Sequence, residues 1–174
     1  VDTCGTGGDK KHTLNISTAT AILAAACGIK VAKHGNKSVS SNSGSSDVLE
    51  KLGVNIYAPT NKVEKCLEDT NLCFLMAPLY HSAMKNVAEV RSKLKVPTIF
   101  NLLGPLLNPA NANVQLIGVY SHEWMMPIAK CLKELKIKKA WVVHGQDGLD
   151  EITTTTKTHV IEINKNKIRK FTID

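Results

Sequence analysis

Residues 72–77 read LCFLMA, six apolar side chains with no polar residue between them. A strand with one wet face alternates apolar and polar, so an unbroken run points to a strand buried on both faces, as in a parallel sheet covered by helices. The chain on either side has the matching pattern. Upstream, NISTATAILAAACG (15–28) offers Asn15, Ser17 and Thr18 as capping residues, an Ala/Ile/Leu run and then Gly28 as a stop, which reads as a buried helix. IKVAKH (29–34) follows as a short strand. A helix from about Ser45 to Leu52 closed by Gly53, a strand near residues 54–57, and a helix opened by Thr60 with Val63, Cys66 and Leu67 on one face lead up to residue 72.

Downstream, the pattern predicts a helix over about 82–94, a strand at TIFN (98–101), another at VQLIGVY (114–120), a helix through IAKCLKEL (128–135) and a strand at AWVVH (140–144). The tail reads as β, with THVIEI (158–163) and KIRKFTI (167–173) flanking the hairpin signal Asn164-Lys165-Asn166. Strand and helix alternate for most of the length, which predicts one α/β domain, a mainly parallel sheet with helices on both faces. Ligands of such sheets bind beyond the carboxyl ends of the strands. Four polar loops stand there: residues 5–9, 33–41, 101–109 and 144–151.

The 174 residues suffice for one domain with a sizeable core, and a hydrophobic fraction of 43% is ordinary for a globular chain. No stretch approaches the roughly 18 apolar residues of a membrane span, and no basic-then-apolar signal pattern opens the chain. A soluble, cytoplasmic protein with no membrane partner is expected. The cysteines (Cys4, Cys27, Cys66, Cys73, Cys131) lack a C-x-x-C pair and fall mostly in apolar runs, so they read as reduced core residues rather than disulfides or zinc ligands. A net charge of +7 favours an anionic partner, nucleic acid or a small polyphosphate. The lysines are scattered and aromatics make up only 5%, leaving few platforms for base stacking, so most of the charge reads as solvated surface.

Four features do not behave as fold residues. VDTCGTGGD (1–9) has three glycines in four positions, which suits either a tight turn or a loop that lets phosphate approach; it fits neither G-x-x-x-x-G-K-[ST] nor G-x-G-x-x-G. KHGNKSVSS (33–41) combines Lys33, bare backbone at Gly35, Asn36 and three hydroxyls, either an anion cradle or a polar loop around a satisfied histidine. Asp150-Glu151 follow a strand and a glycine-containing turn, as a Mg²⁺ site or as a solvated acidic turn. Arg91 falls on the apolar stripe of Met84, Val87, Ala88 and Leu94, so it either snorkels, pairs with a structural carboxylate, or meets a carboxylate ligand. His81 and His144 lack metal-ligand spacing and read as structural.

GTGGD (5–9), NIST (15–18), KHGN (33–36), SGSSDVLEKLGV (from Ser43), AMKNVAEVR (from Ala83), NLLGPLLNP (101–109) and GLDE (ending at Glu151), in that order and over essentially the whole chain, resemble the anthranilate phosphoribosyltransferase family. The resemblance implies transfer of phosphoribosyl from 5-phosphoribosyl 1-pyrophosphate (PRPP) to the amine of anthranilate, giving phosphoribosylanthranilate and pyrophosphate, with Mg²⁺. It implies PRPP contacts at Gly5, Gly8, Asp9, Thr13, Asn15, Ile16, Ser17, Thr18, at Lys33, His34, Gly35, Asn36, Lys37, Ser38, Val39, Ser40, Ser41, and at Ser45. Anthranilate would meet Gly5, Asn36, Ala77, His81, Arg91 and Pro105, and Mg²⁺ would meet Ser17, Asp150 and Glu151. The resemblance identifies no general base.

Lys10, Ser82 and Thr156-Lys157 depart from the family's usual glycine, proline and Gly-Pro, none at a metal or anthranilate position. The family carries a helical region before the glycine loop and more of the α/β domain after residue 174, so a partial domain of impaired activity is expected. The full-length protein would be a homodimer and the fragment would not, with a plastid address if the full chain carries a transit peptide. Two rivals are a pyrimidine nucleoside phosphorylase, against which GTGGD, KHGN and NLLGPLLNP argue, and an idle nucleic-acid-binding relative, which should have lost Arg91 or Asp150-Glu151.

Overall fold

A computed structural model describes residues 1–9, 11, 13–37, 44–84, 86–87, 93 and 98–174. Its elements are β1 (Asp2–Gly5), α1 (Ile16–Ala26), β2 (Val31–Gly35), α2 (Ser45–Lys51), α3 (Thr60–Thr70), β3 (Leu72–Met76), α4 (Ala77–Tyr80), α5 (Ile99–Leu103), β4 (Val114–Gly118), α6 (His122–Glu134), β5 (Lys139–Gly145), β6 (Thr158–Asn164) and β7 (Lys167–Ile173). Short 3₁₀ turns stand at Ser82–Met84 and Gly104–Leu106.

The α/β class is as expected: β1, β4 and β5 pair in parallel, as do β2 and β3. The five-stranded sheet then turns antiparallel through β6 and β7. The turn between these two has positive φ at both Lys165 and Asn166, as a two-residue type I′ hairpin requires.

β1 and β2 belong to separate ladders but lie side by side, and side chains complete the seam. The Ala32 N–H donates across it to the Val1 carbonyl at 2.9 Å, and the Val1 nitrogen donates back to the Lys30 carbonyl at 2.8 Å. The fully buried Asp2 then accepts the His34 N–H at 3.2 Å, and Lys33 Nζ donates to the Thr3 carbonyl at 2.5 Å. Asn108 Nδ2 donates to the Ala32 carbonyl at 2.8 Å. Asp2 Oδ1, Lys33 and Asn108 have found partners here, as burial demands, while the buried Asp2 Oδ2 has no hydrogen-bond partner among the described residues. The main core lies between α6 and the five-stranded sheet, where Met125, Ile128, Ala129 and Leu132 meet Ile117, Ala140, Val142, Ile161 and Ile163. That contact sustains α6 through Pro127, which removes an interior helix hydrogen bond.

Several expectations need correction. Residues 54–57 are not a strand: the Asn55 side chain accepts the Tyr57 N–H at 3.1 Å, and this local bond closes a turn that buries only Ile56. TIFN opens α5 instead of forming a strand, because the Asn101 side chain reaches back to the Thr98 N–H at 2.9 Å and caps the first turn. α1 is not a buried helix. It sets Thr18, Ala21 and Ala25 against the sheet and leaves Ile22 42% and Leu23 67% exposed. All five cysteines are free, but Cys27 at the C-terminal end of α1, Cys66 in α3 and Cys131 in α6 are exposed and are not core residues. The helix expected over 82–94 begins as the 3₁₀ turn; Ala88, Arg91 and Leu94 lie outside the described residues. Among the described residues no helix is long and apolar enough to cross a membrane.

Removing the Asp2 carboxylate leaves the His34 N–H without its acceptor in the interior. Asp2→Ala is expected to destabilise the fold by about 1–3 kcal/mol. An unchanged urea midpoint would show that the seam does not depend on it.

Candidate functional site

A cleft of about 290 Å³ opens at the carboxyl ends of β1 and β2. Its floor and walls come from the glycine loop, the start of α1, the end of β2, and the loop after β5. Gly7 and Gly8 have φ of 63° and 86°, a conformation that side chains disfavour, and among the described residues nothing stands within 4 Å of a Cβ added at either. The loop is therefore open to the cleft. Thr6 anchors it, its N–H on the Gly118 carbonyl at 2.9 Å and its hydroxyl accepting the Tyr120 N–H at 3.1 Å.

The loop after β5 meets the glycine loop directly. Gly7 N–H donates to Asp150 Oδ2 at 2.9 Å. A Cβ at Gly5 would stand 2.7 Å from that same oxygen, and one at Gly118 would stand 1.5 Å from the Asp150 carbonyl oxygen. The clash at Gly118 is with backbone and cannot be relieved, while one at Gly5 would make the Asp150 carboxylate shift, so glycine at both positions lets Asp150 reach the cleft as it does.

At the start of α1, Asn15 Oδ1 accepts the Thr18 N–H at 3.2 Å, the expected cap. Ser17 Oγ accepts from Lys33 Nζ at 3.0 Å, and Thr3 Oγ1 donates to the Ser17 carbonyl at 2.9 Å. Lys33 is only 2% exposed. Burial lowers its pKa, while Cys4, Asp2 and Glu151 nearby favour the charged form.

The two carboxylates carry the opposite strain. Burial first, then the Asp9 carboxylate, raise Asp150 to about 6 against the help of the Gly7 N–H. Burial and Asp150 raise Glu151 to about 8, partly offset by Lys33 and by the Ser17 backbone N–H at the helix start. Acidic groups held this way are short of positive charge. Among the described residues no three His, Cys, Asp or Glu side chains converge as a ready-made metal cage. Two carboxylates and a hydroxyl nonetheless fit Mg²⁺, which takes one or two carboxylates and leaves its other positions to water and substrate phosphate.

The cleft gathers Gly5, Gly8, Asp9, Thr13, Asn15, Ile16, Ser17, Lys33, His34, Gly35, Asn36, Lys37, Ser45, Asp150 and Glu151. Thr18 is on the buried face of α1, 2% exposed, and does not line the cleft. His81 stands Nε2 to Nε2 at 3.1 Å from His34, Ala77 begins α4 and Pro105 is buried in the 3₁₀ turn after α5; none of these three residues expected to meet anthranilate lines the cleft. Arg91, Ser38, Val39, Ser40 and Ser41 lie outside the described residues. Sequence reasoning missed Thr6, Gly44 and Asn101, which also line the cleft, and Gly118, whose only signal is a glycine at the end of an apolar strand.

An open glycine loop, a helix start and paired acids at the carboxyl end of a mainly parallel sheet define an α/β domain with its cleft where such sheets present ligand sites. The chain belongs to the family described as glycosyl transferase family, a/b domain, whose match spans residues 1–174. More particularly, it is 58% identical over 173 residues to the anthranilate phosphoribosyltransferase of Clostridium kluyveri, covering 99% of this chain and 52% of that protein. It is 55% identical over 174 residues to that of Brevibacillus brevis, covering 100% and 51%. The fold is similar to crystalline anthranilate phosphoribosyltransferase from Thermus thermophilus, with a TM-score of 0.90 and 45% identity over 99% of this chain and 50% of that one. It is also similar to the Saccharomyces cerevisiae enzyme in complex with PRPP and Mg, with a TM-score of 0.87 and 37% identity over 99% and 48%. The chain thus spans about half the length of the curated relatives it matches.

The His34–His81 pair makes stability depend on pH. Burial, then the His81 ring, hold His34 at about 4 in place of 6.5. Between those values the unfolded chain binds the proton that the folded one refuses. Stability is full above about pH 6.5 and falls as the pH drops toward 4, by up to about 3 kcal/mol. Asp150 and Glu151, raised, act with the opposite sign and lose stability as the pH rises. The difference between wild type and His34→Asn therefore isolates the histidine. Urea midpoints should fall less steeply on acidification in the variant; parallel curves would contradict the assignment.

Proposed function

We propose that this protein transfers the phosphoribosyl group of PRPP to the amine of anthranilate, releasing pyrophosphate. The observation that carries the reading is the meeting of Asp150 and Glu151 with the glycine loop and the α1 start, two cation-seeking carboxylates beside an open backbone anion site. The named activity of the relatives supports it, as do the yeast enzyme's complexes with PRPP and Mg and with 4-fluoroanthranilate.

In this reading the N–H groups of the glycine loop and the first turn of α1 receive the diphosphate, and Lys33 adds positive charge from below. Asp150, Glu151 and Ser17 would hold Mg²⁺, which when bound neutralises the departing pyrophosphate. Arg91 pairs with the carboxylate of anthranilate and, with Asn36 and His81, aims its amine at the sugar C1. The amine attacks as pyrophosphate leaves, through an oxocarbenium-like transition state, with no covalent enzyme intermediate. Alignment and charge neutralisation supply the rate.

In the full-length protein, Asp150→Asn and Glu151→Gln should each cut Mg²⁺-dependent transfer strongly, since each removes one charge and little volume. Groups that act on one ion fail together, so the double variant should lose little more than the worse single one. A solvated acidic turn predicts changes within about ±0.5 kcal/mol, and near-wild-type kcat/KM across a Mg²⁺ titration in both singles would reject the metal site.

Arg91→Ala should raise the KM for anthranilate at least about tenfold and leave PRPP little changed, a charge-assisted contact being worth roughly 1.5–3 kcal/mol. Equal losses for both substrates would count against the pairing.

A further inference from the structure

Asp147 lies outside the cleft yet organises the loop that carries its two acids. Its Oδ1 accepts the Leu149 N–H at 3.1 Å. Its Oδ2 accepts both the Thr153 and the Thr155 hydroxyls, each at 2.6 Å. The bonds therefore reach the chain just before Asp150 and just after Glu151, and the acidic pair sits in the span between them. Charge-assisted hydroxyl bonds of this length are strong, and they hold the Asp147 carboxyl down at about 2, so it is charged wherever the protein functions.

The rest of the loop closes around the same carboxylate. Gly145 N–H donates to the Leu149 carbonyl at 2.9 Å, Gly148 N–H to the Gly145 carbonyl at 2.9 Å, and Thr153 N–H to Thr158 Oγ1 at 3.0 Å. A Cβ at Gly145 would stand 2.5 Å from Asp147 Oδ1, so the strand end is bare where this carboxylate presses on it. From the loop the connection continues to the glycine loop, through the Gly7 N–H on Asp150 Oδ2.

We propose that Asp147 is a positioning residue for the acidic pair, setting Asp150 and Glu151 to receive the cation and, through the bond from the Gly7 N–H to Asp150, setting the glycine loop beside them. This rests on the reading of the site as a Mg²⁺-dependent phosphoribosyltransferase. Residues that orient metal ligands without touching the metal characteristically change metal affinity by about 10–100-fold.

The test uses the full-length protein. Asp147→Ala is expected to raise the Mg²⁺ concentration for half-maximal transfer about tenfold or more, to lower kcat at saturating Mg²⁺ by no more than about threefold, and to leave the anthranilate KM within about twofold. Asp147→Asn, which keeps an acceptor for Leu149 and an amide that bonds a reversed hydroxyl, is expected to restore most of the Mg²⁺ dependence. Hydrogen exchange supplies a readout independent of activity: the Gly7 amide should exchange about fivefold faster in Asp147→Ala while the Val119 amide, bonded within the sheet, is unchanged. Where Asp147→Ala does not fold, Thr155→Val removes one of the two hydroxyl bonds at an exposed residue and should move both readouts in the same direction.

A lowered melting temperature with unmoved Mg²⁺ half-saturation and unmoved Gly7 exchange overturns the proposal. Absence of phosphoribosyl transfer in the wild type overturns the functional reading instead, and Gly7 exchange then decides the positioning role alone: faster exchange supports it and unchanged exchange overturns it.

Discussion

The backbone of Asp150 lies against Gly118 so closely that a single methyl group there would overlap its carbonyl oxygen. Most of the site depends on that approach. It brings a loop from late in the chain onto the ends of β1 and β4 and places a carboxylate where the Gly7 N–H can donate to it. A larger residue at Gly118 would not merely crowd a neighbour, because the obstructing atoms are backbone and no rotamer can relieve them. Gly5 enforces the same approach from the other side.

Charge is the second constraint. Asp2 and Lys33 are buried in the β1–β2 seam and Asp150 in the loop after β5, and full desolvation of any one alone would cost several kcal/mol. Lys33 sits among Asp2, Cys4 and Glu151 and spends two of its donors on the Thr3 carbonyl and Ser17. The same ammonium that closes the β1–β2 seam thus lies beside the helix start that faces the cleft. Fold and site share this group, so a substitution of Lys33 would report on both together and separate neither.

The parts of this arrangement that were legible in the sequence are those that rest on local chemistry. The apolar run at 72–77, the Asn15 cap and the Lys165-Asn166 turn each state their structure in a few neighbouring residues. The resemblance assembled most of the cleft residues because they fall within contiguous motifs. What was misread were short segments where a side chain competes with the ladder, Asn55 at one and Asn101 at the other. Exposure was also misjudged: the Ala/Ile/Leu run of α1 has no period that distinguishes a helix covered on all sides from one covered along an alanine stripe. Gly118 and Asp147 escaped notice because what makes them matter is a partner distant in sequence or a bond pattern that composition does not display.

The antiparallel return of β6 explains why so much bonding is concentrated after β5. A parallel successor would need a crossover of a dozen or more residues, usually a helix, carrying the chain away to the far end of the sheet. Here β5 ends at Gly145 and β6 begins at Thr158 directly opposite it, so the intervening residues stay at the cleft end. With no helix to supply backbone partners, this segment satisfies itself locally, through Asp147 and the threonines on one side and the Gln146 N–H to the Lys157 carbonyl on the other. The break in the parallel sheet is therefore what allows two adjacent acids to be held at its carboxyl edge by a loop instead of by a helix.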